Sequence, residues 1–400
     1  MYFSNVFHEK GGFDVVIANP PYIDYRYIPR DTVKSLSNFY VYNPSARPNI
    51  YMFFIERSYQ ILKTNGVLTY INPNQFLSID AGYTLRKMLI NNTTIKFFCD
   101  VSYIKVFSEA STYSLVWSFL KRNEEDYTIR VNRCSDLNML SATTFEISKS
   151  EITVDRELRV AIVENRELLS KVAYSKYRLG QLCKMVWGTS RSGYGKLKIK
   201  ETQYLHLSEK RQRMYRPILQ TSDIKRFYID WQREFIPVSI YSENIKRVFE
   251  QEKLLIARVT KKLQSAMDTE RRYVGKATII FSSAMSLKMT ISLLNSKLIN
   301  YWYCTKFETT HMAGGYIRFD IPYLSQIPIP KSIIDDPSRQ EPFVDLVNQI
   351  LAITKEGEYL TNPTKQARVK KYEHQIDQMV YELYGLTEEE IKIVEGSAGR

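Results

Sequence analysis

The sequence predicts an α/β protein: a sheet with crossover helices first, then a mixed α+β region, then helices. Three observations predict it. Over residues 13–120, short apolar runs alternate with helical patterns. Residues 175–330 carry short strand patterns, isolated Gly and Pro, and many Tyr and Lys. The end returns to helical periodicity. The boundaries fall at 1–125, 126–174, 175–335 and 336–400.

The elements follow in order. FDVVIA, Phe13 to Ala18, is short and continuously apolar, as a buried strand is. Ile50, Phe53, Phe54, Ile61 and Leu62 lie on one face of a helix running to Lys63. Asn65-Gly66 is expected to stop it, with Gly66 in a left-handed cap. Val67 to Ile71 is a strand, Thr84 to Ile90 a helix and Ile95 to Cys99 a strand. Leu115 to Leu120 alternates, as an edge or hairpin strand does. A polar stretch follows from 121, with helical spacing from Arg156 to Val172. At the end, Ile376, Met379, Val380 and Leu383 form one apolar stripe. Gly385 can close that helix, and Thr387 with Glu390 makes a capping box for a last one.

Composition narrows the function classes. The chain has 400 residues, 44% apolar, and a net charge of +13. Residues 171–280 hold 24 Lys and Arg against 10 Asp and Glu, which accounts for the whole excess. A basic segment with interleaved aromatics is the footprint of a polyanion binder or of a solvated basic surface. No run of about eighteen apolar residues is present to support a membrane span. The start shows no secretory signal. Cys99, Cys134, Cys183 and Cys304 are scattered, which suits a reducing cytoplasm, bacterial or archaeal. His8, His206, His311 and His374 have no metal spacing. No Ser/His/Asp or Cys/His arrangement and no GxGxxG is present.

One tetrapeptide carries chemistry. Asn19-Pro20-Pro21-Tyr22 ends the first strand. Two prolines stiffen the backbone and donate no N–H. The Asn19 side-chain oxygen and the Pro20 carbonyl are then two acceptors in fixed directions, with the Tyr22 ring beside them. Open α/β sheets bind ligands outside the carboxyl ends of strands. The set suits a planar ring with an exocyclic NH₂: two acceptors for two hydrogens, and a face to stack on. Acceptors of this kind favour a tetrahedral nitrogen over the flat, conjugated amine. A base in a duplex must be flipped out to reach them. The bland reading is a strand-ending double-proline turn.

FDVVIANPPYI resembles motif IV of amino-group DNA methyltransferases, in the NPPY form of adenine-N6 enzymes. NIYMFFIERSYQILKTNGVLTYINPNQFL and VFSEASTYSLVWSFLKR resemble the motifs that follow it. The resemblance implies a partial Rossmann-like methyltransferase sheet, S-adenosylmethionine as cofactor, and Phe107 packing the flipped base. A core role for Phe107 stays equally open. The order of parts is that of the gamma class, as in Taq-type enzymes. RPILQTSDIKRFYIDW, LLIARVTKKLQSAMDTERRYVGKATIIFSS and GGYIRFDIPYLSQIPIP resemble the target-recognition domain of type IIG restriction–modification proteins. This implies double-stranded DNA as partner and no membrane.

For DNA contact the candidates are Arg191, Lys196 and Lys198 in the Gly-rich loop WGTSRSGYGKLK, then Lys225, Arg226, Arg258, Lys261, Lys262 and Arg318. Most such residues position the backbone rather than read sequence. The loop is not a Walker A, since Tyr194 follows Gly193 where lysine is required. Gly314-Gly315 is expected to shape a turn. Members of the family place a Gly-rich donor-binding turn well upstream of NPPY, and only 18 residues precede Asn19. The expectation is little methylation by this chain alone, with a preceding portion or a second chain supplying the donor site. The alternative function is a non-catalytic, sequence-specific DNA-binding module.

Overall fold

The computed structural model describes residues 3–42, 48–101, 106, 114–134, 144–152, 165–189, 193–282, 284–307, 311–312, 316–355 and 358–397. The chain divides into two compact units, residues 1–166 and 167–400. It is α/β, as predicted. Among the described residues no helix is long and apolar enough to cross a membrane.

Unit 1 is built on a six-stranded sheet. Helix α1 (Ser4–Lys10) leads into β1 (Phe13–Ala18). Helices α2 (Arg30–Phe39) and α3 (Ile50–Ile61) cross over to β2 (Leu62–Pro73), and α4 (Tyr83–Asn92) precedes β3 (Thr94–Asp100). Then come β4 (Ser114–Leu120), β5 (Thr128–Arg133) and β6 (Thr144–Ser148). The order is β1-β2-β4-β3-β5-β6. Strand β1 is parallel to β2 and β3 to β5, while β4 runs antiparallel to both β2 and β3. The carboxyl ends of β1, β2, β3 and β5 therefore share one edge of the sheet.

Three expectations need correction. FDVVIA forms a strand, but on the sheet's edge rather than inside it. Val15 is 53% exposed and Ile17 76% exposed, with Val16 and Ala18 packed on the core. Leu115 to Leu120 is the reverse case: its alternation suggested an edge, yet β4 lies between β2 and β3. It buries Leu115, Trp117 and Phe119 completely. Alternation tells which face is buried, not how many neighbours a strand has. Finally, α3 ends at Ile61 and its continuation is already strand. Asn65, not Gly66, takes the positive φ of 62°, in a bulge where the β1–β2 register slips. Gly66 is needed there for space: a Cβ would lie 2.9 Å from the Phe13 and Lys63 carbonyl oxygens.

The core of unit 1 packs α3 and α4 on the sheet through Tyr51, Met52, Ile55, Leu85, Met88 and Leu89. Trp117 is fully buried and donates its indole N–H to Asn72 Oδ1 at 2.7 Å. Asn72 Nδ2 in turn donates to the Pro73 carbonyl at 2.8 Å. Trp117→Phe keeps most of the apolar volume and orphans that oxygen. It is expected to cost about 1–3 kcal/mol, read as a lower urea midpoint for unit 1.

Unit 2 contains two four-stranded sheets that share a core. One orders Ser265–Asp268, Lys253–Ala257, Ala277–Ser282 and Cys183–Trp187. The other orders Tyr273–Val274, Tyr215–Leu219, Glu234–Pro237 and Ile199–Lys200. The shared core includes Ile218, Ile236, Leu255, Tyr273 and Ile279. Helices Leu287–Asn295, Glu341–Thr354 and Pro363–Leu383 follow. The last ends as its sequence predicts. Gly385 takes φ 67°, and the N–H groups of Gly385 and Leu386 bond back to Glu382 and Tyr381. Thr387 N–H donates to Glu390 Oε2 at 2.7 Å and Glu390 N–H to Thr387 Oγ1 at 3.3 Å, closing the capping box. Ile376 and Val380 of the stripe are fully buried. Gly314 and Gly315 lie outside the described residues, as does most of the helical stretch from Arg156.

Candidate functional site

The sheet edge that carries NPPY is the first candidate site. Asn19 follows directly on β1, at the carboxyl edge. Its side chain is exposed, and no described residue bonds to it. Pro20 is buried and Pro21 exposed, so the rigid pair roots the turn while Asn19 stays open to a ligand. Tyr22 is half-buried. Its hydroxyl donates to the Ile71 carbonyl of β2 at 3.1 Å and also meets the Ser114 side chain at the start of β4. Desolvation pushes its pKa up to about 12, so the phenol stays neutral.

The segment after Tyr22 is clamped from two sides. Ile50 N–H, at the start of α3, donates to the Ile23 carbonyl at 3.1 Å. Tyr25 N–H donates to Asn49 Oδ1 at 3.1 Å, and Asn49 Nδ2 reaches Gln75 Oε1 at 3.4 Å. Gln75 belongs to the INPNQFL phrase. Glu56 of α3, completely buried, accepts from the N–H groups of Val41 and Tyr42. Sequence reasoning did not single out Ser114, Asn49, Gln75 or Glu56. Asn49 and Gln75 stand inside phrases that suggested a family, but their separation hides their meeting. Phe107 lies outside the described residues.

Cys99 of β3 and Cys134, the residue that follows β5, bring their sulfurs to 3.4 Å as free thiols. Burial, with each thiol crowding the other, pushes Cys99 up to about 12, so it is protonated and a poor nucleophile. Among the described residues no three His, Cys, Asp or Glu side chains gather as a metal site.

Unit 2 holds the second candidate, an open cleft of about 680 Å³. Tyr194, Gln220, Lys225, Lys261, Lys276 and Tyr316 are among the residues lining it, and none of the described lining residues is acidic. The predicted DNA contacts divide here. Lys225 and Lys261 face the cleft, and Lys261 sits 5.9 Å from the Tyr316 ring. Lys196, Lys262 and Arg318 are exposed. Lys198 is paired with Glu234, and Arg226 lies 3.6 Å from Glu373 and 3.7 Å from Asp377. Arg258 pairs with Asp320 at 2.6 Å and stacks 4.5 Å over Trp187. Arg191 lies outside the described residues.

The Gly-rich loop has a structural demand at its base. A Cβ on Gly188 would lie 2.0 Å from the Gly275 carbonyl oxygen. Two backbones cross there. Thr189 secures the crossing, its N–H donating to Val274 O at 2.9 Å and its hydroxyl to the same oxygen at 2.7 Å.

Comparison with known proteins matches both units. Residues 1–107 match the Eco57I restriction-modification methylase family, and residues 216–329 the TaqI-like C-terminal specificity domain. The type II restriction enzyme and methyltransferase RM.Eco57I of Escherichia coli is 36% identical over 118 residues, 29% of this chain and 12% of its own length. The type II methyltransferase M.PaeR7I of Pseudomonas aeruginosa is 22% identical over an alignment covering 97% of this chain and 73% of that protein. The chain spans 12% and 38% of the length of RM.Eco57I and M.HindII of Haemophilus influenzae. The type IIL restriction-modification enzyme MmeI, solved in complex with DNA, shares the fold with a TM-score of 0.61 at 12% identity, covering 98% of this chain and 57% of that one. The chain thus carries an Eco57I-type restriction-modification methylase domain followed by a TaqI-like C-terminal specificity domain, and its relatives are type II methyltransferases.

Proposed function

We propose that this chain is the catalytic-motif and recognition portion of a type II, IIG-like, site-specific DNA methyltransferase acting on adenine N6. The observation that carries the reading is Asn19-Pro20 at the carboxyl end of a sheet strand, with the Tyr22 hydroxyl tied into the next strand. Asn19 Oδ1 and the Pro20 carbonyl accept the two amino hydrogens of a flipped adenine. This draws the nitrogen lone pair out of ring conjugation, the state that a methyl acceptor must reach. Tyr22 offers its ring as a stacking face, and its tethered hydroxyl fixes the ring's tilt.

The donor class we assign is S-adenosylmethionine, but the described residues do not fit it. The glycine pair near the start, Gly11-Gly12, precedes β1 at its amino end. A Cβ on Gly12 would meet the Ile61 carbonyl at 2.6 Å, so this turn is packed on protein rather than open to a nucleoside. We derive no step through the donor. The free edge of β1, with Val15 and Ile17 exposed, is the surface we assign to a further polypeptide portion that completes the donor site. With four free thiols, we place the protein in the cytoplasm.

A second reading, a non-catalytic DNA-specificity module, draws on the lysine cleft of unit 2 alone. Methylome sequencing of the source organism, with the gene intact and deleted, separates the two. One N6-methyladenine motif is expected to vanish on deletion. An unchanged methylome overturns the enzymatic reading.

A further inference from the structure

A short three-stranded sheet borders the cleft of unit 2. Its middle strand, Tyr316–Arg318, pairs antiparallel with Val259–Thr260 on one side and with His311–Met312 on the other. Val259 stands opposite Arg318, and Thr260 opposite Ile317. Directly opposed residues share a face of a sheet, and successive residues alternate between faces. The inner face is fixed to the protein. Ile317 is 2% exposed, and Phe319 is fully buried with its ring 4.8 Å from that of Tyr303. The Tyr303 hydroxyl donates to the Arg318 carbonyl at 2.8 Å. The Phe319 N–H donates to the Arg258 carbonyl at 2.9 Å, beside the Arg258–Asp320 ion pair.

The outer face is open, and it carries a pattern. Val259 is 37% exposed and Tyr316 44% exposed. Lys261 and Arg318 are exposed too. Lys261 follows the ladder on the side of Tyr316, with its Nζ 5.9 Å from the ring centre. The apolar pair thus lies on one diagonal of the face and the cationic pair on the other. Diagonal neighbours stand about 7–8 Å apart, within reach of an aromatic ring. One exposed valine or tyrosine is ordinary. Two on one anchored face, interleaved with cations, make a surface that a phosphate alone does not need. Val259, Lys261 and Tyr316 also line the cleft, and Lys225 and Lys276 reach it from other elements. Among the described residues no carboxylate pairs with Lys225, Lys261 or Lys276, whereas Lys198, Arg226 and Arg258 are so paired. The charge calls for a polyanion, and the apolar diagonal for a methyl-bearing edge on it.

We propose that this outer face enters the major groove of the recognised duplex, where Val259 and Tyr316 pack on the C5-methyl group of a thymine, while Lys225, Lys261 and Lys276 hold the neighbouring phosphates. The assignment rests on the DNA-recognition reading above. The major groove is about 12 Å wide and admits a β-ribbon. Of the four bases, thymine alone presents a methyl group there. Val259 and Tyr316 are thus specificity-determining residues, and the lysines fix the duplex without reading it. The buried Ile317 and Phe319 hold the face steady from beneath.

The test selects duplexes from a randomised pool with the full chain. Each thymine of the selected motif is then replaced in turn by deoxyuridine, which removes only the methyl group. One replacement is expected to lower the affinity of the unaltered chain by roughly fourfold, the worth of one buried methyl. In Val259→Ala and in Tyr316→Ala the same replacement should cost about twofold or less. Each figure is a ratio between two duplexes on one preparation, so a change in the folded fraction cancels. Tyr316→Phe keeps the ring and should keep the whole methyl effect. Lys225→Ala, Lys261→Ala and Lys276→Ala should each lower the salt slope of binding by about one. If the unaltered chain selects no motif, the DNA-recognition reading fails and this assignment with it. If it selects one in which no thymine methyl matters, or if both alanine variants keep the full loss at that thymine, the assignment alone is overturned. Unaltered salt slopes overturn the role of the lysines.

Discussion

Asn19→Ala, in the active assembly, is expected to lower methyl transfer to adenine by roughly 100- to 1,000-fold while duplex binding stays within about threefold. The size follows from removing one fixed acceptor at the reacting nitrogen. The selectivity follows from the geometry. Asn19 is exposed and no described residue bonds to its side chain, so its loss leaves no orphaned partner among the described residues. Pro20 and Pro21 still shape the turn, and Tyr22 keeps its bond to Ile71. Asn19→Asp retains an acceptor oxygen and should lose less than Asn19→Ala. Single-turnover methylation, with gel-shift affinity on the same preparation, measures both effects. Turnover within threefold of the unaltered protein would sink the catalytic assignment.

The difference in legibility between the two candidate sites has a physical cause. NPPY could be read because its chemistry is local: four consecutive residues set acceptors, rigidity and ring. The clamps around it could not, since Tyr22 meets Ile71 and Ser114 only when three strands are laid side by side. The basic residues show the same limit more sharply. Lys198 and Lys225 look alike in sequence, as do Arg258 and Lys261. Folding brings Glu234 to Lys198 and Asp320 to Arg258. Among the described residues it brings no carboxylate to Lys225 or Lys261. Tyr194, Gln220 and Gly275 were equally hidden, since only the crossing of backbones near Gly188 gathers them. Periodicity found β1 to β4, α3 and α4 but not α1, α2, β5 or β6, the last two lying in the stretch read as polar and then helical. It did not find neighbours either, so β1 was expected inside the sheet and β4 at its edge.

Asp268→Ala is expected to destabilise unit 2 by about 3–5 kcal/mol, the range for a buried ion pair stripped of one partner. Lys253 and Asp268 are both completely buried, with Nζ and Oδ2 2.7 Å apart. Lys253 also donates to the Phe249 carbonyl at 2.6 Å, but carbonyls do not cancel its charge. The carboxylate does more than the lysine. It accepts from the Arg272 backbone N–H at 2.8 Å and from Arg272 Nη1 at 3.3 Å. Lys253→Met should therefore cost less than Asp268→Ala, because Asp268 keeps a cation and an N–H while methionine fills the space. The pH dependence has a definite sign. Burial holds the Lys253 pKa below its ordinary value, and losing Asp268 lowers it further. The unfolded chain then binds the extra proton, so the deficit of Asp268→Ala should shrink as pH rises toward the ordinary lysine range. Urea unfolding of the full chain, followed in parallel at neutral and alkaline pH, reads all three expectations. Equal losses for the two variants, or a deficit that widens with pH, would contradict the account of Asp268 as the anchor of this strand pair.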